Sequence, residues 1–223
     1  MKVGIIGGTG EAGRGVALRL AIAGHEILIG SRDGKRAADA AASVGNGVAS
    51  GENGIAAGFG EIVILAVPWE AATDSVAEAK DALAGRILIS MGSALLFAGG
   101  WPQPLLPASG SLALGIQAHL PSTRVVAALH HVPAKTLLDA SAALDFDVLT
   151  CGADRAAVKQ VMDLVAAVPG LRPIDAGPLE YSVVLETLTP LLLGLNRRYR
   201  TRTGLRIQGV VTAPAASPGP ALG

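Results

Sequence analysis

The chain has 223 residues, half of them hydrophobic but only 3% aromatic, and its 18 basic and 18 acidic side chains cancel. That length allows one sizeable core, or a main domain with a smaller lobe, and apolar mass made of Ala, Val, Leu and Ile suits helices on a parallel sheet. The balanced charge leaves no electrostatic footprint for nucleic acid or an anionic membrane surface, and a single cysteine, Cys151, rules out a disulfide framework or a thiolate zinc site within one chain.

The organising stretch is the first, Met1 to Arg36. Lys2-Val-Gly-Ile-Ile6 reads as a buried strand that opens into Gly7-Gly-Thr-Gly-Glu-Ala-Gly-Arg-Gly15. Val16 to Ala23 is apolar at helical spacing, Gly24 stops it, and His25 to Arg32 is a second apolar strand. Strand, glycine loop, helix, strand is the unit that places a dinucleotide pyrophosphate on a helix N-terminus. Gly8, Gly10 and Gly13 form a G-x-G-x-x-G. Gly8 is expected to make the tight turn, Gly10 to let the backbone approach the pyrophosphate, and Gly13 to let the helix pack on the first strand. The second strand ends in Gly30-Ser31-Arg32, with Lys35 and Arg36 a helical turn on, where an acidic residue would select NAD. A hydroxyl and two or three cations suit the 2′-phosphate of NADP instead, with Asp33 free to cap the following helix.

Asp33 to Val44 is expected to be a helix, Gly47 to Gly51 a short strand, and Asn53 to Gly58 a brief helix with Asn53 as its N-cap. Glu61 to Val67 is a continuous β-branched strand broken by Pro68-Trp69; Glu70 to Leu83 reads as a helix and Arg86 to Ser90 as a strand. Trp69, at a strand's C-terminal end, either walls a nicotinamide or covers the helix start. Met91 to Gly110 shows no clear periodicity and reads as a long loop, the kind that is functional or mobile in a compact domain. Leu112 to Leu120 follows as a short helix and Thr123 to Leu129 as a strand, with His130-His-Val-Pro-Ala134 at its C-terminal end.

Adjacent histidines on a strand would point apart. At a ligand-bearing edge, either is as well placed to serve a site as to fill the fold. The four histidines lack zinc-ligand spacing with a carboxylate, so no metal site is expected. Phe146 to Cys151 and Arg172 to Asp175 are expected strands, Asp154 to Val168 a helix, and Leu179 to Arg202 a long helix kinked at Pro190. Gly204 to Gln208 is expected as an edge strand, and the small, Pro-rich residues 210 to 223 as a disordered tail. The domain expectation is a nucleotide-binding domain over 1–145, a small α/β lobe over 146–209 and the tail. No stretch approaches the roughly 20 apolar residues of a membrane span, and charges interrupt any signal-peptide core, so the expected compartment is the cytoplasm.

Several segments together resemble the coenzyme F-420 (F420)-dependent NADP oxidoreductases. They are Gly7-Gly-Thr-Gly10 with Gly13 and Gly15, Gly24-His-Glu-Ile27, Gly30-Ser-Arg32, Ala66-Val-Pro-Trp-Glu70 and Val125-Val-Ala-Ala-Leu-His-His-Val-Pro-Ala134. Cys151-Gly-Ala-Asp154, Leu171-Arg-Pro-Ile-Asp-Ala-Gly-Pro-Leu179 and Leu185-Glu-Thr-Leu-Thr-Pro190 continue the likeness to about residue 208. The resemblance implies a Rossmann-type doubly wound sheet with a small C-terminal lobe, in a homodimer. It implies direct hydride exchange between NADP and the deazaflavin, with small-molecule cofactors as the substrates.

By the same resemblance Thr9, Gly10, Glu11 and Ala12 lie at the pyrophosphate, and Ser31, Arg32 and Arg36 at the 2′-phosphate. Val67, Trp69 and Ala134 line the nicotinamide side. His130 and Val132 face the deazaflavin, with Thr187 and Thr189 nearby. No acid–base residue is required, and His130 is a positioning candidate. Ser90-Met-Gly-Ser-Ala-Leu95 departs from a segment where relatives often carry proline, and Val183 stands where some carry a basic residue. The alternatives are an NADPH reductase of another acceptor (a flavin, a metal chelate or an imine) and a non-catalytic NADP-binding protein.

Overall fold

The computed structural model describes residues 1–210. The first half alternates strand and helix: β1 (Lys2–Ile6), α1 (Glu11–Ile22), β2 (Glu26–Ser31), α2 (Gly34–Val44), β3 (Ala49–Glu52), α3 (Asn53–Phe59), β4 (Ile62–Leu65), α4 (Ala72–Glu78), α5 (Lys80–Leu83) and β5 (Ile87–Ser90). The second half adds a hairpin, β6 (Leu95–Ala98) and β7 (Trp101–Pro104), then α6 (Leu112–His119), β8 (Arg124–Ala127), α7 (Ala134–Leu138), β9 (Phe146–Gly152), α8 (Arg155–Ala166), β10 (Leu171–Gly177) and α9 (Ser182–Tyr199).

Among the described residues eight strands form one sheet in the order β10-β9-β8-β5-β4-β1-β2-β3. From β3 to β8 every pair is parallel. The strand order reverses direction between β1 and β4, which opens a crevice over the C-terminal strand ends, the usual ligand position in such sheets. Strand residues alternate between two cores. Ile5, Ile29, Ile64 and Ile89 pack under α1, α2 and α8, while Ile6, Val63, Leu65 and Leu88 pack under α4 and α6. A strand buried on both faces must be apolar throughout, which is why these runs were so legible.

The structure corrects several expectations. Asn53 is the first residue of α3 rather than its N-cap, which is Glu52; the Asn53 side chain instead accepts from the Gly7 N–H at 3.1 Å. Glu70 to Leu83 is not one helix: a 3-10 turn at Trp69–Ala71 precedes α4, and α5 is a separate turn. Residues 91–110 are not simply a loop, because β6 and β7 pair antiparallel around Gly99 and Gly100, both at positive φ. β9 joins the same sheet, running antiparallel to β8, so the sheet is mixed at this end and residues 146–177 extend it rather than found another. Residues 204–208 form no edge strand. The expected tail, Val210 apart, lies outside the described residues.

A buried carboxylate holds Arg206 and Ile207 of the segment after α9. Asp147 on β9 accepts from Arg172 Nε and Nη2, each at 2.6 Å, from Arg206 Nη1 at 3.0 Å and from the Ile207 N–H at 2.5 Å. Its side chain is fully buried, and the Arg172 guanidinium holds the carboxyl below the usual carboxylate range. At the other end of α9, Glu186 is buried and accepts from the N–H groups of Leu112 and Ala113 at 2.8 and 3.0 Å, pinning the start of α6 to α9. Burial pushes that carboxyl up to about 7.

Replacing Asp147 with Asn leaves Arg172 without an ion-pair partner among the described residues and Arg206 with only the exposed Asp145, 3.2 Å away. The expected loss is about 2–4 kcal/mol of unfolding free energy, measured by urea titration. A loss under about 0.5 kcal/mol would show that the carboxylate does not anchor the segment.

Candidate active site

The glycine loop is shaped by close contacts. Gly7, at φ 69°, makes the left-handed turn expected of Gly8, and a Cβ there would lie 2.2 Å from Val67 Cγ1. The turn falls at Gly7 because the Gly8 N–H must point to Gly30 O on β2, which accepts it at 3.1 Å. Gly13 has the expected packing role, since a Cβ would lie 2.6 Å from Gly8 Cα. Around Gly10 the space is open: a Cβ would meet nothing within 4 Å. α1 begins just after it with no side-chain cap, so its first N–H groups face that space without a side-chain acceptor.

At the tip of β2, Ser31 is buried and its Oγ accepts from the Asp33 N–H at 3.2 Å. Asp33 caps α2, accepting from the N–H groups of Lys35 and Arg36 at 2.9 and 3.2 Å. The carboxylate is thus spent on its own helix, and Arg32, Lys35 and Arg36 stay exposed around the strand tip.

A cavity of about 570 Å³ opens beside α1, within the range of small-molecule sites. Glu11 and Ala12 line it, together with Leu129, His130, Val132, Ala134, Thr189 and Leu192. Six of the expected site residues are therefore brought together: Glu11, Ala12, His130, Val132, Ala134 and Thr189. Thr187 is not, for its hydroxyl donates back to Val183 O and Val184 O within α9. Trp69 also stays out of the lining; its indole N–H donates to Leu95 O at 3.2 Å, tying β6 to the sheet edge. Thr189 shares a hydrogen bond of 2.8 Å with Ser93 and donates to His130 O at 3.1 Å.

His130 and His131 lie in a turn beyond β8, not on the strand, and both line the cavity. Leu129 before them is held at φ 70°, a strained value for a leucine and one found mostly where a site demands it. His131 Nε2 lies 3.1 Å from both the Leu149 N–H and Asp147 O, and only one of these can be its partner in a given tautomer. Both His130 nitrogens are buried without a partner. Burial, with His131 alongside, lowers its pKa to about 3; burial also lowers His131, to about 4, against the raising effect of Asp147. Both rings are neutral at physiological pH. His130 can donate or accept one hydrogen bond to a ligand but is no proton store there.

Residues 2–94 match the family described as NADP oxidoreductase, coenzyme F420-dependent. The F420-dependent NADP reductase of Methanocaldococcus jannaschii is 40% identical over 219 residues, covering 93% of this chain and 98% of that protein. The chain belongs to the F420-dependent NADP oxidoreductase family. The Methanothermobacter marburgensis F420-dependent NADP reductase is 37% identical with the same coverage. A crystal structure of a candidate F420-dependent NADP reductase from Arthrobacter sp. FB24 superposes with a TM-score of 0.81 at 27% identity, covering 93% of this chain and 99% of that one.

Within this family member, sequence reasoning missed Arg19. Buried in α1, it donates from Nε to Leu137 O at 2.9 Å and from Nη2 to Thr136 O at 3.0 Å and Ala142 O at 2.9 Å, with Asp139 O also in contact. It fastens α7 and the turn behind it to the helix of the glycine loop. The signal was an arginine on the otherwise apolar face of α1.

The depressed histidines fix a pH signature. Below about 6.5 the unfolded chain takes protons that folded His130 refuses down to about 3, so this contribution to stability falls as pH drops through that window. Glu186 has the opposite sign, losing its contribution as pH rises from about 4.5 to about 7. Urea midpoints of a His130→Gln variant should therefore fall less than wild type between pH 6.5 and pH 4. An unchanged slope would place the titration elsewhere.

Proposed function

We propose that the protein exchanges hydride reversibly between NADP(H) and the deazaflavin of coenzyme F420. The carrying observation is that the uncapped start of α1 and the histidine turn share one cavity, at Glu11 and Ala12 on one side and His130, Val132 and Ala134 on the other. The residues present fit both cofactors. A pyrophosphate suits open N–H groups around Thr9, Gly10, Glu11 and Ala12. The apolar wall suits two stacked rings, and the orphan nitrogens of His130 suit a polar edge of a ring. NADP supplies the hydride chemistry when bound. The chain's task is to hold two planar groups face to face and exclude water, which needs position more than an acid or base.

Ser31, Arg32 and Arg36 are the proposed 2′-phosphate ligands. Val67 is the proposed neighbour on the nicotinamide side, through its packing on Gly7; Trp69 acts there by holding β6, and Thr189 by fixing His130 O. Residues 1–145 carry the NADP site in this reading, and within 146–209 it is α9 and the turn after it that wall the second cofactor's side of the cavity. The compartment proposed is the cytoplasm, where the NADP pool lies. The balanced charge offers nothing for nucleic acid.

A second copy of the chain is the proposed partner. Val184 and Leu191 are exposed on one face of α9, with Tyr181 exposed in the 3-10 turn just before it, and Phe97 is 68% exposed on the β6–β7 hairpin. Apolar side chains of this size on the surface are the kind a subunit interface would cover. Sedimentation equilibrium should give a dimer that Leu191→Glu dissociates; a monomeric wild type would sink this reading.

Mixing the protein with NADPH and oxidised F420 should bleach the deazaflavin's visible absorbance, with the reverse reaction on adding NADP to reduced F420. Turnover of a flavin or an imine without bleaching would replace the acceptor. Arg32→Asp should cut kcat/KM for NADPH by about 100-fold, as loss of a charge-assisted contact plus added repulsion predicts, while that for NADH changes little. Equal losses with both nucleotides would overturn the 2′-phosphate assignment.

A further inference from the structure

The segment after α9 is set against the cavity by side chains rather than by a strand ladder. Arg200 takes a left-handed conformation at φ 52° and ends the helix. Asn196 Oδ1 then accepts from the Thr203 N–H at 2.5 Å and from its hydroxyl at 2.8 Å, turning the chain back. Arg202 rides on that turn and lines the cavity. Lys135, in the first turn of α7, lines it too, on the element that Arg19 clamps to α1. Two independent anchorages thus bring two cations to one opening.

Both cations are available. Among the described residues neither Lys135 nor Arg202 is in an ion pair. Asp139 lies near enough to Arg202 to feel its charge, but its carboxylate accepts from the Ser141 N–H and hydroxyl at 3.1 and 2.6 Å. Glu11, at the α1 end, is the one carboxylate in the lining among the described residues. The cavity is therefore divided in character: apolar with neutral histidines at Leu129 to Val132, cationic at Lys135 and Arg202.

We propose that Lys135 and Arg202 form a subsite for the anionic tail of the second cofactor. This rests on the function proposed above and adds how the acceptor is told apart from other tricyclic ligands. A deazaflavin head is a flat ring system that suits the apolar wall, whereas its tail carries a phosphodiester and carboxylates that need cations. Exposed cations at a rim act through attraction that salt screens, so they select ligands by charge without touching the reacting ring.

The test uses the full-length protein with two acceptors: F420 itself and the same deazaflavin carrying only its ribityl chain. In wild type, raising salt from 20 to about 300 mM should lower kcat/KM for F420 severalfold more than for the tail-free compound. The Lys135→Ala/Arg202→Ala double variant should lower the ratio of the two kcat/KM values by about 10-fold or more, with KM for NADPH within about twofold of wild type. Arg202→Lys on its own should keep most of that ratio. An unchanged ratio, or equal salt dependence of the two acceptors, overturns the subsite. A rise confined to the KM for NADPH overturns it too, assigning the cations to the nucleotide's phosphates. If wild type reduces neither deazaflavin, the functional reading itself fails and the subsite with it; an unchanged ratio in an active enzyme refutes the subsite alone.

Discussion

The Arg19 guanidinium joins the helix that follows the glycine loop to the turn that follows the histidines. It reaches four backbone carbonyls between residues 136 and 142, and among the described residues it pairs with no carboxylate. A buried cation of this kind is tolerable only when carbonyl dipoles replace its hydration, and the end of α7 supplies them. The consequence is geometric. α1 and α7 cannot move independently, so Glu11 and Ala12 stay at a set distance from His130 to Lys135. Gly15 makes the same demand from another side, because a Cβ there would lie 2.7 Å from Leu137 Cβ. The cavity exists because these two elements are locked while α9 and the turn after it form the remaining wall.

The second anchor, Asp147, works on the far side. It gathers Arg172, Arg206 and the Ile207 N–H on β9, a strand that runs against its neighbour β8. Both anchors are buried charged groups served by several partners, neither of them in the cavity lining, and removing a partner would leave buried charge less compensated. Between them lie neutral histidines. Burial keeps the imidazoles uncharged, so the site presents apolar surface and a single adaptable hydrogen bond at His130, suited to ring stacking rather than to acid–base work.

Much of this was legible. Met1 to Arg36 is a contiguous unit, and local spacing is enough to read most of it: the β1 run, Gly13 as the packing glycine, the α1 stripe and Asp33 as a cap appear where expected, while the left-handed turn falls at Gly7 instead of Gly8. Other misreadings have identifiable causes. The β6–β7 hairpin was hidden because Pro102 and Pro104 suggest a loop, yet they sit on a two-stranded ribbon whose outer edge needs no N–H. The better signal was Gly99-Gly100 between Phe97-Ala98 and Trp101, a two-residue turn that wants positive φ twice. Residues 204–208 look like a strand by composition but are held by the Asp147 carboxylate, a contact 59 residues away for Arg206 that no local pattern records.

By itself the sequence determined the alternating α/β order, the nucleotide loop and the cationic tip of β2, because each depends on residues within a turn or two of one another. The family likeness was carried by short motifs spread along the chain. Only the tertiary structure decided that residues 11–12, 129–135, Thr189, Leu192 and 201–203 would wall one cavity, that His130 would be buried and neutral, and that Arg19 would hold the parts together. Those outcomes arise from contacts more than 100 residues apart in sequence, such as Arg19 to Leu137, and from desolvation, which has no value until the chain has closed around the group.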